Sequence, residues 1–205
     1  MEQTVERIGI FGGTFDPPHV GHLIGAELAC EQYALDTLLF MTAFVPPHKQ
    51  HVSRAPAQDR LAMTTLATAN NPRFAASDIE ITREGTSYTI DTIRELKAKH
   101  PNAKLFLFIG MDNLAIFHSW RAADEIKQEA TVVVMLRPTH DASALDPSLF
   151  ESVETLEIPL IGISSSDVRA RVRAGLSVKY WIPESVEEYI RAHHLYEQPL
   201  GEQHL

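Results

Sequence analysis

Ile8-Gly9-Ile10-Phe11-Gly12-Gly13-Thr14-Phe15-Asp16-Pro17-Pro18-His19-Val20-Gly21-His22 leads from an apolar strand into a helix. Val5 to Phe11 has strand character, and Leu23 to Tyr33 is helix-forming. Between them stand a Gly-Gly turn, a Pro-Pro step and two histidines. Glycines after a strand let the backbone approach a ligand closely, because no Cβ intervenes. A helix that starts just beyond aims its unpaired N–H groups and positive dipole end at whatever occupies the turn, an arrangement suited to phosphate. The stretch matches neither G-x-G-x-x-G nor G-x-x-x-x-G-K-[ST], so neither a dinucleotide fingerprint nor a P-loop is indicated.

Outward from this turn the chain alternates strands and helices. Thr37 to Val45 is a near-continuous apolar run, expected of a strand buried on both faces, and it ends at the stiff Pro46-Pro47-His48-Lys49. A polar loop, Gln50 to Pro56, precedes an amphipathic helix from Gln58 to Ala69, with Leu61, Met63, Leu66 and Ala67 as its apolar face. Phe74 to Ile81 reads as a short strand and Thr82 to Gly85 as a loop. Thr86 to Thr89 offer hydroxyl caps for a helix from Ile90 to Lys99. Leu105 to Gly110 is another buried strand, and Asp112 follows where open α/β sheets place ligand groups. Trp120 falls in a short irregular stretch between that strand and a helix from Ala122 to Gln128. Ala130 to Leu136 is a strand. Residues 139–154 lack a period and form a surface excursion with a helical turn near Pro147 to Phe150. Leu156 to Ile163 is a last strand, which Pro159 marks as an edge or irregular one. Ser164 begins a helix that Gly175 ends, and Pro183 opens a final helix, Glu184 to His194. Residues 197–205 are a loose tail. Without a linker or internal repeat, the pattern indicates one domain over 1–205. Its fold class is α/β, a Rossmann-like doubly wound, mostly parallel sheet with helices on both faces.

Composition bounds the function. The 205 residues are 44% hydrophobic and carry a net charge of −9, a poor balance for binding nucleic acid or an anionic membrane. No apolar run reaches the length of a membrane span, and the N-terminus lacks a signal-peptide core. The single cysteine, Cys30, allows no internal disulfide and reads as a small buried hydrophobe in the first helix. A cytoplasmic setting is expected.

His19 and His22 are three apart at a helix start and can share a face. They fit two hydrogen-bond donors for phosphate oxygens; alternatively, one of them caps the helix or packs in the core. A metal would need further ligands, which no nearby Cys or His supplies. Arg169 and Arg173 share a helix face and Arg171 points away, the last two reading as a solvated basic surface. His193, His194, His140 and His204 read as surface residues, and Tyr180 and Trp181 as packing for the final helix.

Gly12 to His22 resembles the G-G-x-F-D-P-x-H-x-G-H sequence of the nucleotidylyltransferase superfamily with the H-x-G-H motif. Ile163-Ser164-Ser165-Ser166-Asp167-Val168-Arg169 resembles its second motif, I-S-S-T-x-I-R, with Ser166 in place of Thr and Val168 in place of Ile. Pro46 to Lys49, Ser87 to Thr92, Ile109 to Asp112 with Trp120, and Tyr180 to Pro183 are similar to the bacterial nicotinate mononucleotide adenylyltransferases. Trp181 stands where those more often carry an aliphatic residue. The resemblance covers Ile8 to about Tyr196.

It implies transfer of AMP from ATP to nicotinate mononucleotide, giving nicotinate adenine dinucleotide and pyrophosphate, a step of NAD biosynthesis. It further implies Mg²⁺ with the ATP, and no nucleic-acid or membrane partner. Assembly as a homo-oligomer stays open. Carried over residue by residue, it assigns catalysis to His19, His22, Lys49 and Arg169. ATP binding falls to Gly12, Gly13, Phe15, His19, His22, Ser164, Ser165 and Arg169. Nicotinate mononucleotide falls to His48, Lys49, Thr89, Asp112 and Trp120, with the Trp120 ring stacked on the nicotinate. The shared ATP motifs leave open another acceptor, nicotinamide mononucleotide or phosphopantetheine, and a nucleotide-binding module without turnover. A class I aminoacyl-tRNA synthetase fragment shares the H-x-G-H idea, but the chain is short and acidic.

Overall fold

The computed structural model describes residues 5–46, 55–136 and 147–197. Six strands, β1 (Arg7–Gly13), β2 (Thr37–Thr42), β3 (Phe74–Ser77), β4 (Lys104–Gly110), β5 (Thr131–Leu136) and β6 (Glu154–Glu157), form one sheet in the order β3-β2-β1-β4-β5-β6. Every neighbouring pair is parallel, so both faces must be covered. Side chains alternate accordingly. Leu105, Leu107 and Ile109 of β4 enter a core with Ile90, Ile93 and Leu96 of helix α4 (Thr89–Lys99), Leu114 of α5 (Met111–Ile116) and Ile126 of α6 (Ala123–Glu129). Phe106 and Phe108 enter the opposite core with Ala26, Ala29 and Cys30 of α1 (Val20–Gln32). The expected doubly wound α/β architecture is therefore present.

The chain reverses winding direction between β1 and β4. Neighbouring carboxyl ends diverge there and leave a crevice, the place where open sheets of this kind bind ligands. A third cluster lies beyond the sheet. Met63 of α2 (Ala57–Thr68), Val168 of α7 (Ser165–Arg173) and Val186 and Ile190 of α8 (Glu184–Ala192) pack together in it.

Several expectations change at the level of elements. The segment after β3 turns helical as α3 (Ile79–Arg83) instead of extending the strand to Ile81. β2 stops at Thr42 and β6 at Glu157. Pro159 has no N–H, so the β6 ladder closes with one last bond from Ile158 N–H to the Leu136 carbonyl. The hydroxyls before α4 do not cap it: Tyr88 is its N-cap residue, and Ser87 Oγ accepts the Phe44 N–H at 3.0 Å. The buried face of α2 is largely polar, with Arg60, Thr64 and Thr68 beside Met63. Arg171 is not simply solvated, since it donates to the Ser177 carbonyl and lies over the Trp181 ring at 4.8 Å. Trp181 packs against the third cluster as expected, whereas Tyr180 is 81% exposed. Gly175 ends α7 in the left-handed conformation, at φ 67°. His193 and His194 are exposed. His140, His204, the polar loop after Pro46 and the tail lie wholly or largely outside the described residues.

Candidate active site

The β1–α1 turn is built on Phe15. Its backbone is left-handed, at φ 47°, and its ring is 2% exposed beneath Gly13. A Cβ at Gly13 would meet that ring at 2.7 Å, so Gly13 is needed for packing inside the turn. Phe15, expected to bind ATP, is thus the floor of the turn. Gly12 differs in that a Cβ there would meet nothing within 4 Å, and both glycines line the crevice.

His19 is the N-cap residue of α1, and its ring is stacked on His22 with centroids 3.7 Å apart. The His19 N–H donates to His22 Nδ1 at 3.1 Å. Nδ1 therefore carries the lone pair, and neutral His22 holds its proton on Nε2, as a donor. Gly21 has a local reason to be glycine. A Cβ there would lie 3.1 Å from Cε1 and Nδ1 of His19, so its absence leaves room for the stacked ring.

The second motif meets this turn across more than 140 residues of sequence. Ser165 Oγ donates to the Pro17 carbonyl at 2.8 Å, and Arg169 Nη1 donates to the Asp16 carbonyl at 2.7 Å. The N-termini of α1 and α7 are thereby held at one place. Ser164 is the N-cap of α7: its Oγ accepts the Asp167 N–H at 3.2 Å, and its own N–H and hydroxyl point to the Asp167 carboxylate at 3.2 and 2.6 Å. Ser164, expected to bind ATP, thus engages its donors in the cap while lining the crevice. Helix geometry leaves the N–H groups of Ser165 and Ser166, at N1 and N2, to face a ligand.

These pieces line a crevice of about 880 Å³, within the usual range for ligand pockets. Its other wall comes from the β4–α5 junction and the start of α4. Gly110 leaves space for Asp112, whose Oδ1 would stand 2.7 Å from a Cβ there. Thr89 begins α4, and Trp120 follows the single helical turn Phe117–Ser119. Trp120 packs on Phe117 at 5.1 Å and also lines the crevice, so it is both a core aromatic and a wall residue. Its Nε1 is buried and has no hydrogen-bond partner among the described residues. His48 and Lys49 lie outside the described residues, so their expected place at the site is not described.

Four residues escaped the sequence reading. Asp16, 3% exposed, accepts from the Ala55 N–H at 3.2 Å and the Tyr196 hydroxyl at 2.7 Å, and its Oδ2 lies 3.7 Å from Arg169 Nη1. Its place inside the motif was the available signal. Arg60, 2% exposed, donates to the carbonyls of Ala55, Thr14, Ala43 and Phe44. No sequence signal distinguishes it from a solvated helix arginine. Arg121 lies over the Tyr88 ring at 4.9 Å, pairs with Asp91 and lines the crevice, signalled only by adjacency to Trp120. Tyr196 sits beyond the last helix, between histidines read as surface residues and the expected tail. Cys30 lies far from this chemistry; burial pushes its thiol up to about 11, consistent with the inert reading.

Among the described residues, no helix is long and apolar enough to cross a membrane. The cytidylyltransferase-like family profile matches residues 10–171. A relative from Salinibacter ruber, named "Probable nicotinate-nucleotide adenylyltransferase", is 41% identical over 189 residues, 92% of this chain and 97% of its own. One of the same name from Thermus thermophilus is 43% identical over 190 residues, 93% of this chain and 99% of its own. A solved structure of Plasmodium falciparum nicotinic acid mononucleotide adenylyltransferase complexed with NaAD aligns with TM-score 0.73 at 20% identity. The alignment covers 93% of this chain and 97% of that one, a likeness of fold.

Proposed function

The chain belongs to the cytidylyltransferase-like family and, within it, to the nicotinate-nucleotide adenylyltransferases, and we propose that it catalyses their reaction: ATP and nicotinate mononucleotide give nicotinate adenine dinucleotide and pyrophosphate. One observation carries the reading. The stacked His19–His22 pair, the N-termini of α1 and α7 and the Arg169 guanidinium converge on one crevice at the β1/β4 reversal.

The chemistry fits these groups. A phosphate oxygen of the mononucleotide attacks the α-phosphorus of ATP, a new P–O bond forms, and the bond to pyrophosphate breaks. A phosphomonoester has a second pKa of about 6, so the nucleophile arrives ionised and no general base is needed. The task is to hold two polyanions together and to stabilise charge moving onto the leaving pyrophosphate. Nε2–H of His22 and the His19 ring donate to the phosphates. The α1 and α7 N-termini add N–H groups, and Arg169 adds a full charge. Thr89, Asp112 and Trp120 take the pyridine nucleotide, with the Trp120 ring against the nicotinate. Lys49 and His48 are proposed as further phosphate contacts.

Mg²⁺ is proposed to arrive on the triphosphate. Among the described residues no group of three or more His, Cys, Asp or Glu side chains could hold a metal ion, and the donors facing the phosphates are N–H groups and cations. Phosphate oxygens and water fit Mg²⁺ better than this wall does, and the ion would neutralise charge on the leaving group. A cytosolic location is part of the same proposal.

The test is a side-by-side assay of pyrophosphate release from ATP with nicotinate mononucleotide, nicotinamide mononucleotide and phosphopantetheine. Nicotinate mononucleotide should give the highest kcat/KM. A higher value with either other acceptor would overturn the assignment, and no release with any acceptor would leave a nucleotide-binding module.

A further inference from the structure

Tyr196 is four residues past the end of α8, yet its hydroxyl reaches under the β1–α1 turn. It donates to Asp16 Oδ1 at 2.7 Å, and Asp16 is 3% exposed. The backbone at Tyr196 is left-handed, at φ 66°, a conformation unfavourable for a residue with a Cβ. Leu195 and the Tyr196 ring both pack against the third cluster, and the phenol is the one polar group of the pair, aimed past Met63 at the carboxylate. The left-handed turn carries the phenol to one carboxylate.

The partners of that carboxylate say what the function is. Asp16 Oδ2 is 3.7 Å from Arg169 Nη1, which also donates to the Asp16 carbonyl. The Arg169 side chain is only 19% exposed, and its Nη2 is held by Ser166 Oγ at 3.1 Å. At 3.7 Å the two charges face each other without a short contact, while Oδ1 is engaged by Tyr196 and by the Ala55 N–H. Burial, then the Asp16 carboxylate, push the phenol far above its ordinary range, so it stays a donor throughout the neutral range. If the phenol were absent, Oδ1 would lose a charge-assisted bond, and the carboxylate would draw the guanidinium inward.

We propose that Tyr196 is a positioning residue for the triphosphate: by engaging Asp16 it sets how far the Arg169 guanidinium extends toward the ATP phosphates. This rests on the reading of Arg169 as a phosphate ligand. The effect belongs to ATP and pyrophosphate, and not to the pyridine nucleotide bound at the opposite wall.

Tyr196→Phe keeps the ring and removes the donor. In the full chain it should lower kcat/KM for ATP at least fivefold and leave KM for nicotinate mononucleotide within twofold. A double-mutant cycle separates positioning from packing. In an Arg169→Lys background, which shortens the reach of the cation, Tyr196→Phe should add less than a twofold further loss. Full multiplication of the two losses would show that Tyr196 acts independently of Arg169 and would overturn the proposal. So would a Tyr196→Phe enzyme within twofold of the parent, or equal changes in the KM values of both substrates. An inactive parent would instead count against the proposed reaction, so the two failures are distinguishable.

Discussion

Gly21 shows how one residue sets the chemistry of another. In a helix, glycine costs about 0.5–1 kcal/mol relative to alanine, so Gly21→Ala should hold or raise the melting temperature. The added Cβ would nevertheless stand 3.1 Å from the His19 ring and shift it by roughly a few tenths of an ångström against His22. Loss of kcat without loss of stability is the expected pair of results, read by steady-state kinetics and thermal melting. An unchanged kcat would mean that the position of the His19 ring does not matter. The two histidines and their intervening glycine were legible in the sequence because they are neighbours in it. The tautomer of His22 was not, since it depends on where the His19 N–H points. Asp16 was visible as a letter of the motif, but its three partners, Ala55, Arg169 and Tyr196, come from 39 or more residues away.

At the scale of elements, α2 departs furthest from its sequence pattern. Of its expected apolar face, Met63 is buried and Leu66 and Ala67 pack against the third cluster, but the positions buried beside Met63 are Arg60, Thr64 and Thr68. Arg60 explains the difference. Its guanidinium joins the β1–α1 turn, through Thr14, to the exit of β2, through Ala43 and Phe44, and to Ala55 at the start of α2. Only a planar fork with five N–H donors can serve four carbonyls so placed. Arg60→Met would leave those carbonyls without these bonds. Leaving a buried acceptor unsatisfied costs about 1–3 kcal/mol, a loss that urea unfolding should show. Arg60→Lys should recover only part of it. A loss below about 1 kcal/mol for Arg60→Met would place the network's weight elsewhere. The strands, by contrast, were legible. Apolar runs such as Leu105 to Ile109 are buried on both faces in a parallel sheet, and no competing pattern obscures them. Only their ends shifted, where a proline or a helix start intervenes.

At the scale of the whole molecule, stability should fall in alkali. The Cys30 thiol is raised from 9.0 to about 11, by burial above all, and the Tyr196 phenol is raised above 10.0, by burial and then by Asp16. Both folded values exceed the unfolded ones, so the folded chain binds more protons than the unfolded chain at high pH. The stabilisation is complete below pH 9 for Cys30 and is lost as the pH climbs toward about 11. For Tyr196 the loss begins above pH 10. The urea midpoint should therefore be lower at about pH 10.5 than at about pH 7, and the Cys30→Ala protein should lose less over that interval. A midpoint independent of pH would contradict this assignment. The sequence by itself determined the order of strands and helices, the two strand-to-helix turns that carry the histidines and the serines, and from them the family. Those features are local: periodicity, turn chemistry and short motifs are written in adjacent residues. Tertiary structure decided what stands behind the turns. It made Arg60 a buried staple, turned Ser164 into a cap, and brought Tyr196 from beyond the last helix to Asp16. Such contacts depend on which residues the parallel sheet and the α2–α7–α8 cluster bring together, and no local pattern records that.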